Sequence, residues 1–285
     1  MPRVSYVNGR FVPHADAEVH VEDRGYQFSD GVYEVWGVMA GRLVDHELHL
    51  DRLERSLGEL RTMMPMSRAA LTSLVKEMVR RNRVRDGLVY LQVTRGVAPR
   101  DHAFPTEPVL PSVVLTAKSI SAAYYDAKLK RGIKIISVPD IRWSRPDIKS
   151  VSLLPNVLAI QAAHDEGADD AWQVDREGFV TESSRANAWI VDKDGNLVTR
   201  KADASILNGI TRRVIFALAE EEGRTIIERP FTVEEAQGAR EAFQSSASAG
   251  VMPVVEIDGK PIANGSPGSV ALGVRDSYVK NALAT

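Results

Sequence analysis

The stretch "DIRWSRPDIKSVSLLPNVLA", residues 140 to 159, holds one lysine, Lys149, between a proline-bearing turn and an apolar run. A free lysine has a pKa of about 10.4, so an amine kept neutral at pH 7 must be favoured in that form by about 4 kcal/mol. Burial against Val151, Leu153 and Leu154 would contribute part of this. A neutral lysine forms a Schiff base with a carbonyl and then carries protons. A lysine ending a strand with its head in water is the plainer alternative.

Glu182, in "GFVTESSRANAWIV", stands where one strand pattern ends and another begins. A carboxylate there suits the ring nitrogen of a pyridoxal cofactor, which it keeps protonated so that the ring accepts electrons. A solvated turn glutamate beside Thr181 and Ser183 is the other reading. In "SILNGITRRV", residues 205 to 214, Gly209 lets backbone approach a ligand, and Ile210 and Thr211 open a helix whose free N–H groups favour a phosphate. The run "QSSASAG", with Ser246 and Ala247, is a second set of small residues suited to a phosphate. No Walker string G-x-x-x-x-G-K-S/T occurs.

In "TRGVAPRDHAFP" Arg100 and His102 flank Asp101 in a proline-bounded loop. An arginine fork grips a carboxylate in two places, and a histidine adds a third donor. A surface loop with a local Arg–Asp pair is the alternative. Arg52, in "HLDRLERSL", is either a helix-face charge or a phosphate ligand. Lysine, carboxylate, phosphate cradle and carboxylate clamp together are the parts of a pyridoxal-phosphate aminotransferase.

These groups need elements to hold them. Asn8-Gly9 in "VSYVNGRFV" signals a hairpin, and Gly41 marks another turn. Leu53, Leu57 and Leu60 follow helical spacing, and Ser67 caps a helix facing inward with Leu71, Leu74, Val75 and Met78. Strands at "GLVYLQVTRG" and "PSVVLTAK" complete an α+β unit over residues 1–120. Residues 121–131 read as an interdomain linker, and 132–285 as a larger second domain. That domain has a helix near 155–166, strands bent at Gly178 and Asp194-Gly195, a helix closed by Gly223, the hairpin "PVVEIDGKPI" and a last helix from about 267.

Composition excludes several classes. Of 285 residues, 36 are Lys or Arg and 38 Asp or Glu, a net charge of −2 that disfavours a nucleic-acid partner. The absence of cysteine rules out disulfides, thiolate metal sites and a cysteine nucleophile. No run has the length of a signal peptide core or a membrane span, so a cytoplasmic enzyme acting on small molecules, without a metal, is expected.

The strings "EDRGYQFSDGVYEV", "HLDRL", "YLQVTRGVAPRDHAFP", "DIRWSRPDIKSVSLLPNVLA", "VTESS", "ILNGITR" and "MPVVEIDGK", in this order from about 22 to 260, resemble the class IV (fold type IV) pyridoxal-phosphate enzymes, especially the D-amino-acid aminotransferases. The resemblance implies an α+β fold: a small N-terminal domain, a larger domain with a barrel-like sheet, the cofactor between them, and a homodimer. It implies Lys149 as Schiff-base lysine and proton carrier and Glu182 at the pyridine nitrogen. Arg52, Ile210 and Thr211 would hold the phosphate, Leu207 would pack on the ring, and Tyr33 would face the substrate. Arg100 and His102 match the loop that binds the α-carboxylate from the neighbouring subunit. That loop favours a D-amino acid with a 2-oxo acid, such as 2-oxoglutarate or pyruvate, over the branched-chain L-amino acids, (R)-amines or aminodeoxychorismate of sister enzymes, or a carrier without turnover. Three positions, in two places, depart from close relatives. Arg185 and Ala186 replace small polar residues, and Ala247 replaces a phosphate-binding threonine, whose lost bond to a charged group is worth about 1.5–3 kcal/mol.

Overall fold

Asn8 and Gly9 take positive φ, 44° and 94°, and so close a two-residue hairpin between β1 (Val4–Val7) and β2 (Arg10–Pro13). Such φ values match the natural twist of the flanking strands, which is why Asn-Gly is legible as a turn. The computed structural model describes residues 3–284. Its chain falls into two units, one taking residues up to Ser121 together with Ile148–Ser152, the other Ala122–Asp147 and Leu153–Ala284.

In the first unit β1 and β2 join β3 (Gly31–Met39), β4 (Arg42–Leu43), β5 (Gly87–Thr94) and β6 (Ser112–Ser119) in a sheet of order β2-β1-β6-β5-β3-β4. Its helices are α1 (Arg24–Phe28), α2 (His46–Glu59) and α3 (Arg68–Asn82). Ser67 caps α3 as expected, its hydroxyl accepting from Ala70 N at 3.3 Å. Leu50, Leu53 and Leu57 of α2 and Leu71, Val75 and Met78 of α3 pack with Val32, Trp36, Val89 and Leu91 of the sheet. Along β3 the buried residues Val32, Glu34, Trp36 and Val38 share the inward parity, so Glu34 is a charge in the core while Tyr33 points the other way. The segment 148–152 lies antiparallel along the start of β3: Tyr33 N donates to Lys149 O at 2.9 Å and Val151 N to Gly31 O at 3.0 Å.

The second unit opens with α4 (Ala122–Arg131), where sequence suggested a linker. "AAYYDAKLKR" is rich in Ala, Lys, Leu and Arg, strong helix formers, and its lack of strand pattern meant helix, not loop. Around it are β7 (Ile133–Pro139), α5 (Leu154–Asp165), β8 (Asp170–Val174), β9 (Val180–Ser183), β10 (Asn187–Val191) and β11 (Leu197–Thr199). There follow α6 (Ile210–Glu221), β12 (Ile226–Glu228), α7 (Val233–Gln237), β13 (Glu241–Ser246), β14 (Gly250–Ile257), β15 (Lys260–Pro261) and α8 (Ser269–Ala284). The 9-stranded sheet has the order β12-β11-β10-β13-β14-β7-β8-β9, with β15 beside β14, and curls as a half barrel. One face packs Ile133, Ile135, Trp172, Val180, Ile190 and Val254, while Trp189, Phe243 and Val251 meet Ile215 of α6 and Val274 of α8. Among the described residues no helix is long and apolar enough to cross a membrane.

Candidate active site

In the first unit Lys149 is half-buried, held by its backbone along β3, and its Nζ lies 4.2 Å from the centre of the Tyr33 ring. Lys149 N also meets Ser56 Oγ of α2 at 3.4 Å. Tyr33 stacks on Tyr90, with ring centres 5.7 Å apart, and burial pushes the Tyr90 hydroxyl up to about 12. The two expected site residues Tyr33 and Lys149 are thus neighbours. The apolar run expected to bury the amine does not form one wall, because Leu154 is 68% exposed.

Behind Tyr33, Arg52 is not a helix-face charge. Its Nε and Nη2 donate to Glu34 Oε1 and Oε2 at 2.7 and 2.8 Å, and His49 Nδ1 lies 2.7 Å from Glu34 Oε2. Glu34 is 0% exposed; burial alone would raise its carboxyl, but the Arg52 charge and the hydrogen bonds from Arg52 and His49 prevail and hold it at about 2. Burial holds His49 below the usual histidine range. Sequence reading missed Glu34 and His49. The signal was present: an acid at inward parity on a strand, and a His and Arg spaced i, i+3 on one helix face. Arg100 and His102 sit together in the loop after β5, both exposed.

The second unit carries the other group. Glu182, at the end of β9, is 7% exposed. Its Oε1 accepts from Arg142 Nη1, and its Oε2 from Asn187 Nδ2 and from Leu207 N, each at 3.1 Å. Arg142 also holds Asp140 through Nε at 3.0 Å and Nη2 at 2.6 Å. Burial would lower the Arg142 guanidinium, but the two carboxylates raise it above the ordinary arginine value. Glu182 is therefore no solvated turn residue; its carboxylate is fixed in place by Arg142, Asn187 and the Leu207 amide. Asn187 links it to Leu207, whose carbonyl accepts from Asn187 Nδ2 at 2.8 Å.

Gly209 is the N-cap of α6 and no side chain caps that helix. A Cβ on Gly209 would stand 2.2 Å from Asn187 Oδ1, so the position admits glycine alone without a shift. Ile210 and Thr211 are buried in the first turn, the Thr211 hydroxyl 3.5 Å from Tyr278 Oη. Ser246 ends β13, its hydroxyl 3.2 Å from Ser248 Oγ and accepting from Ala249 N at 3.3 Å, with Ala247 between them. Arg185 is 60% exposed and its Nε lies 3.5 Å from Asp170 Oδ2, while Ala186 is buried.

Residues 31–257 match the family model of class IV amino-transferases. The chain is 41% identical over 275 residues to a D-alanine aminotransferase of Staphylococcus haemolyticus, covering 96% of each chain. It is also 41% identical to the D-alanine aminotransferase of Listeria monocytogenes serotype 4b, over 96% of this chain and 94% of that one. The chain belongs to the class IV aminotransferases. Its fold agrees: the branched-chain aminotransferase of Thermoproteus uzoniensis, solved with norvaline, superposes with a TM-score of 0.87 at 25% identity, covering 100% of this chain and 96% of that one.

Class IV aminotransferases use pyridoxal 5'-phosphate, and this chain is such an enzyme. The residues fit the group. The start of α6, which no side chain caps, presents amides suited to a phosphate, and Glu182 is a buried carboxylate, paired with Arg142, of the kind a protonated ring nitrogen requires.

Proposed function

We propose that the enzyme exchanges the amino group of a D-amino acid, such as D-alanine, with a 2-oxo acid such as 2-oxoglutarate or pyruvate. The observation that carries this reading is the 41% identity, over 96% of the chain, to enzymes named as D-alanine aminotransferases. Bound pyridoxal phosphate supplies a carbonyl for amines and an electron sink beside the donor's Cα. Lys149 would hold the cofactor through its amine and, once released, would take the proton from the donor's Cα and, in the second half of the exchange, deliver a proton to the Cα of the amino acid formed from the 2-oxo acid. Tyr33, beside that amine, lines the donor's side. Glu182 keeps a proton on the ring nitrogen, with Arg142 and Asn187 fixing its carboxylate, and Leu207 packs on the ring. Arg52 and the Ile210 and Thr211 groups hold the phosphate, and the Ser246 and Ser248 hydroxyls take over from the threonine that Ala247 replaces.

Arg100 and His102 grip the donor's α-carboxylate, reaching the site of a second copy in a homodimer. Ile141, Trp143, Leu154, Val157 and Leu158 of the second unit, 40–68% exposed, are apolar surface that a second copy would cover. Sedimentation should give twice the 31.3 kDa of one chain, and a stable monomer with full activity would remove the dimer from the reading. With D-alanine and 2-oxoglutarate both varied, double-reciprocal plots should be parallel and pyruvate should accumulate. Intersecting lines, or no pyruvate, would count against the exchange.

A further inference from the structure

The loop that carries Arg100 and His102 is exposed, yet it is fastened at several points. Arg24, 3% exposed in α1, donates Nη1 to Asp101 O at 2.6 Å and Nη2 to His102 O at 3.4 Å. Its Nε donates to Asp30 Oδ2 at 2.8 Å, and Arg95 donates to both oxygens of the same carboxylate at 2.7 and 2.9 Å. Arg95 in turn lies 3.8 Å from the Phe104 ring, which Arg61 approaches to 4.9 Å. One largely buried acid, Asp30, thus holds two arginines, one on the loop's backbone and the other on its Phe104 ring.

The side chains of the loop converge on Phe28, the last residue of α1. The Arg100 guanidinium lies 4.6 Å from the ring centre, the Arg24 guanidinium 4.8 Å, and the His102 ring 5.3 Å with a 53° tilt. Asp101 does not compete: its Oδ1 accepts from Ala103 N at 3.1 Å. The difference between a ring and a carboxylate as partner matters here. A carboxylate would consume the guanidinium's donors and cancel its charge, whereas a ring fixes the plane and leaves both the charge and the N–H edge for a ligand.

We infer that Phe28 is a positioning residue: its ring pre-arranges Arg100 and His102 for a carboxylate and so sets donor class without reaching the donor. The inference rests on the reading of Arg100 and His102 as the carboxylate grip. A grip held ready before binding strengthens affinity by removing the ordering that a mobile arginine would require.

The experiment uses the holoenzyme and three variants, Phe28→Leu, Phe28→Tyr and Arg100→Ala, with Phe28→Met as a second ringless variant should Phe28→Leu not fold. KM and kcat are measured for D-alanine, and the Kd of propionate, a bare carboxylate, is measured by calorimetry. Phe28→Leu should raise KM and the propionate Kd together by about fivefold, the loss expected of a partly exposed cation–ring contact. It should leave kcat and the visible absorption of the bound cofactor unchanged, and Phe28→Tyr should restore both constants. Arg100→Ala raising KM and Kd while the ringless variants leave them unaltered would overturn the role of Phe28 alone. Arg100→Ala leaving both unaltered would overturn the grip itself, and this inference with it. A ringless variant that lowers kcat at constant KM, or a Phe28→Tyr no better than Phe28→Leu, would also overturn it.

Discussion

Glu34 is one residue from Tyr33 along β3 and faces the opposite way, into the core with Arg52 and His49. Removing one partner of a buried ion pair leaves an uncompensated charge and costs about 3–5 kcal/mol. Glu34→Gln should therefore lower stability at pH 7 by about that amount, since Arg52 stays charged. The pH dependence has a definite sign. His49 is held below 6.5 by burial, so on acidification from that value the unfolded chain takes up a proton the folded one refuses, and stability falls. Glu34 is held at about 2 against an ordinary 4.5, so its contribution is complete above 4.5 and is lost as the pH falls towards 2. The gap between the wild-type enzyme and Glu34→Gln in thermal midpoint should thus narrow from pH 4.5 downward. A gap that stays constant to pH 2 would mean the pair contributes nothing as an ion pair. At this scale the surroundings of Lys149 and Glu182 left each with two readings, and only the family resemblance chose between them, while Arg52 needed its partner to be understood. A lone arginine on a helix has two readings until the acid that faces it is known.

Among the elements, what was legible followed from local chemistry. The Asn8-Gly9 hairpin and the Asp258-Gly259 hairpin between β14 and β15 could be read because positive φ at consecutive positions restricts residue type. The α6 start could be read because a glycine precedes an apolar helical pattern. Pairing between distant strands could not. β14 pairs in parallel with β7, more than a hundred residues earlier in the chain, and nothing in either strand names its partner. The same holds for 148–152. Its flanks belong to the second unit, yet the strap itself pairs with β3 of the first, and that pairing places Lys149 over Tyr33. α4 went unread for a different reason: its stripe is short, with only Tyr125 and Leu129 as large apolar residues spaced i, i+4 on the half-buried face, so the many Ala, Lys and Arg around them read as a polar connection.

For the whole molecule, the match to the D-alanine aminotransferase of Staphylococcus haemolyticus covers 96% of this chain and so includes residues of both units. Class membership is shared between enzymes named for D-alanine and enzymes named for branched-chain amino acids, and the fold serves both. What separates them is the donor. Purified enzyme loaded with pyridoxal phosphate, mixed with D-alanine alone and separately with L-leucine and (R)-1-phenylethylamine, gives that answer in a single turnover by the loss of the cofactor's visible band. Fast bleaching by D-alanine, with little by the other two, is the result predicted. Fast bleaching by L-leucine or by the amine, with D-alanine inert, would contradict the D-amino-acid assignment while leaving the family and Lys149 in place.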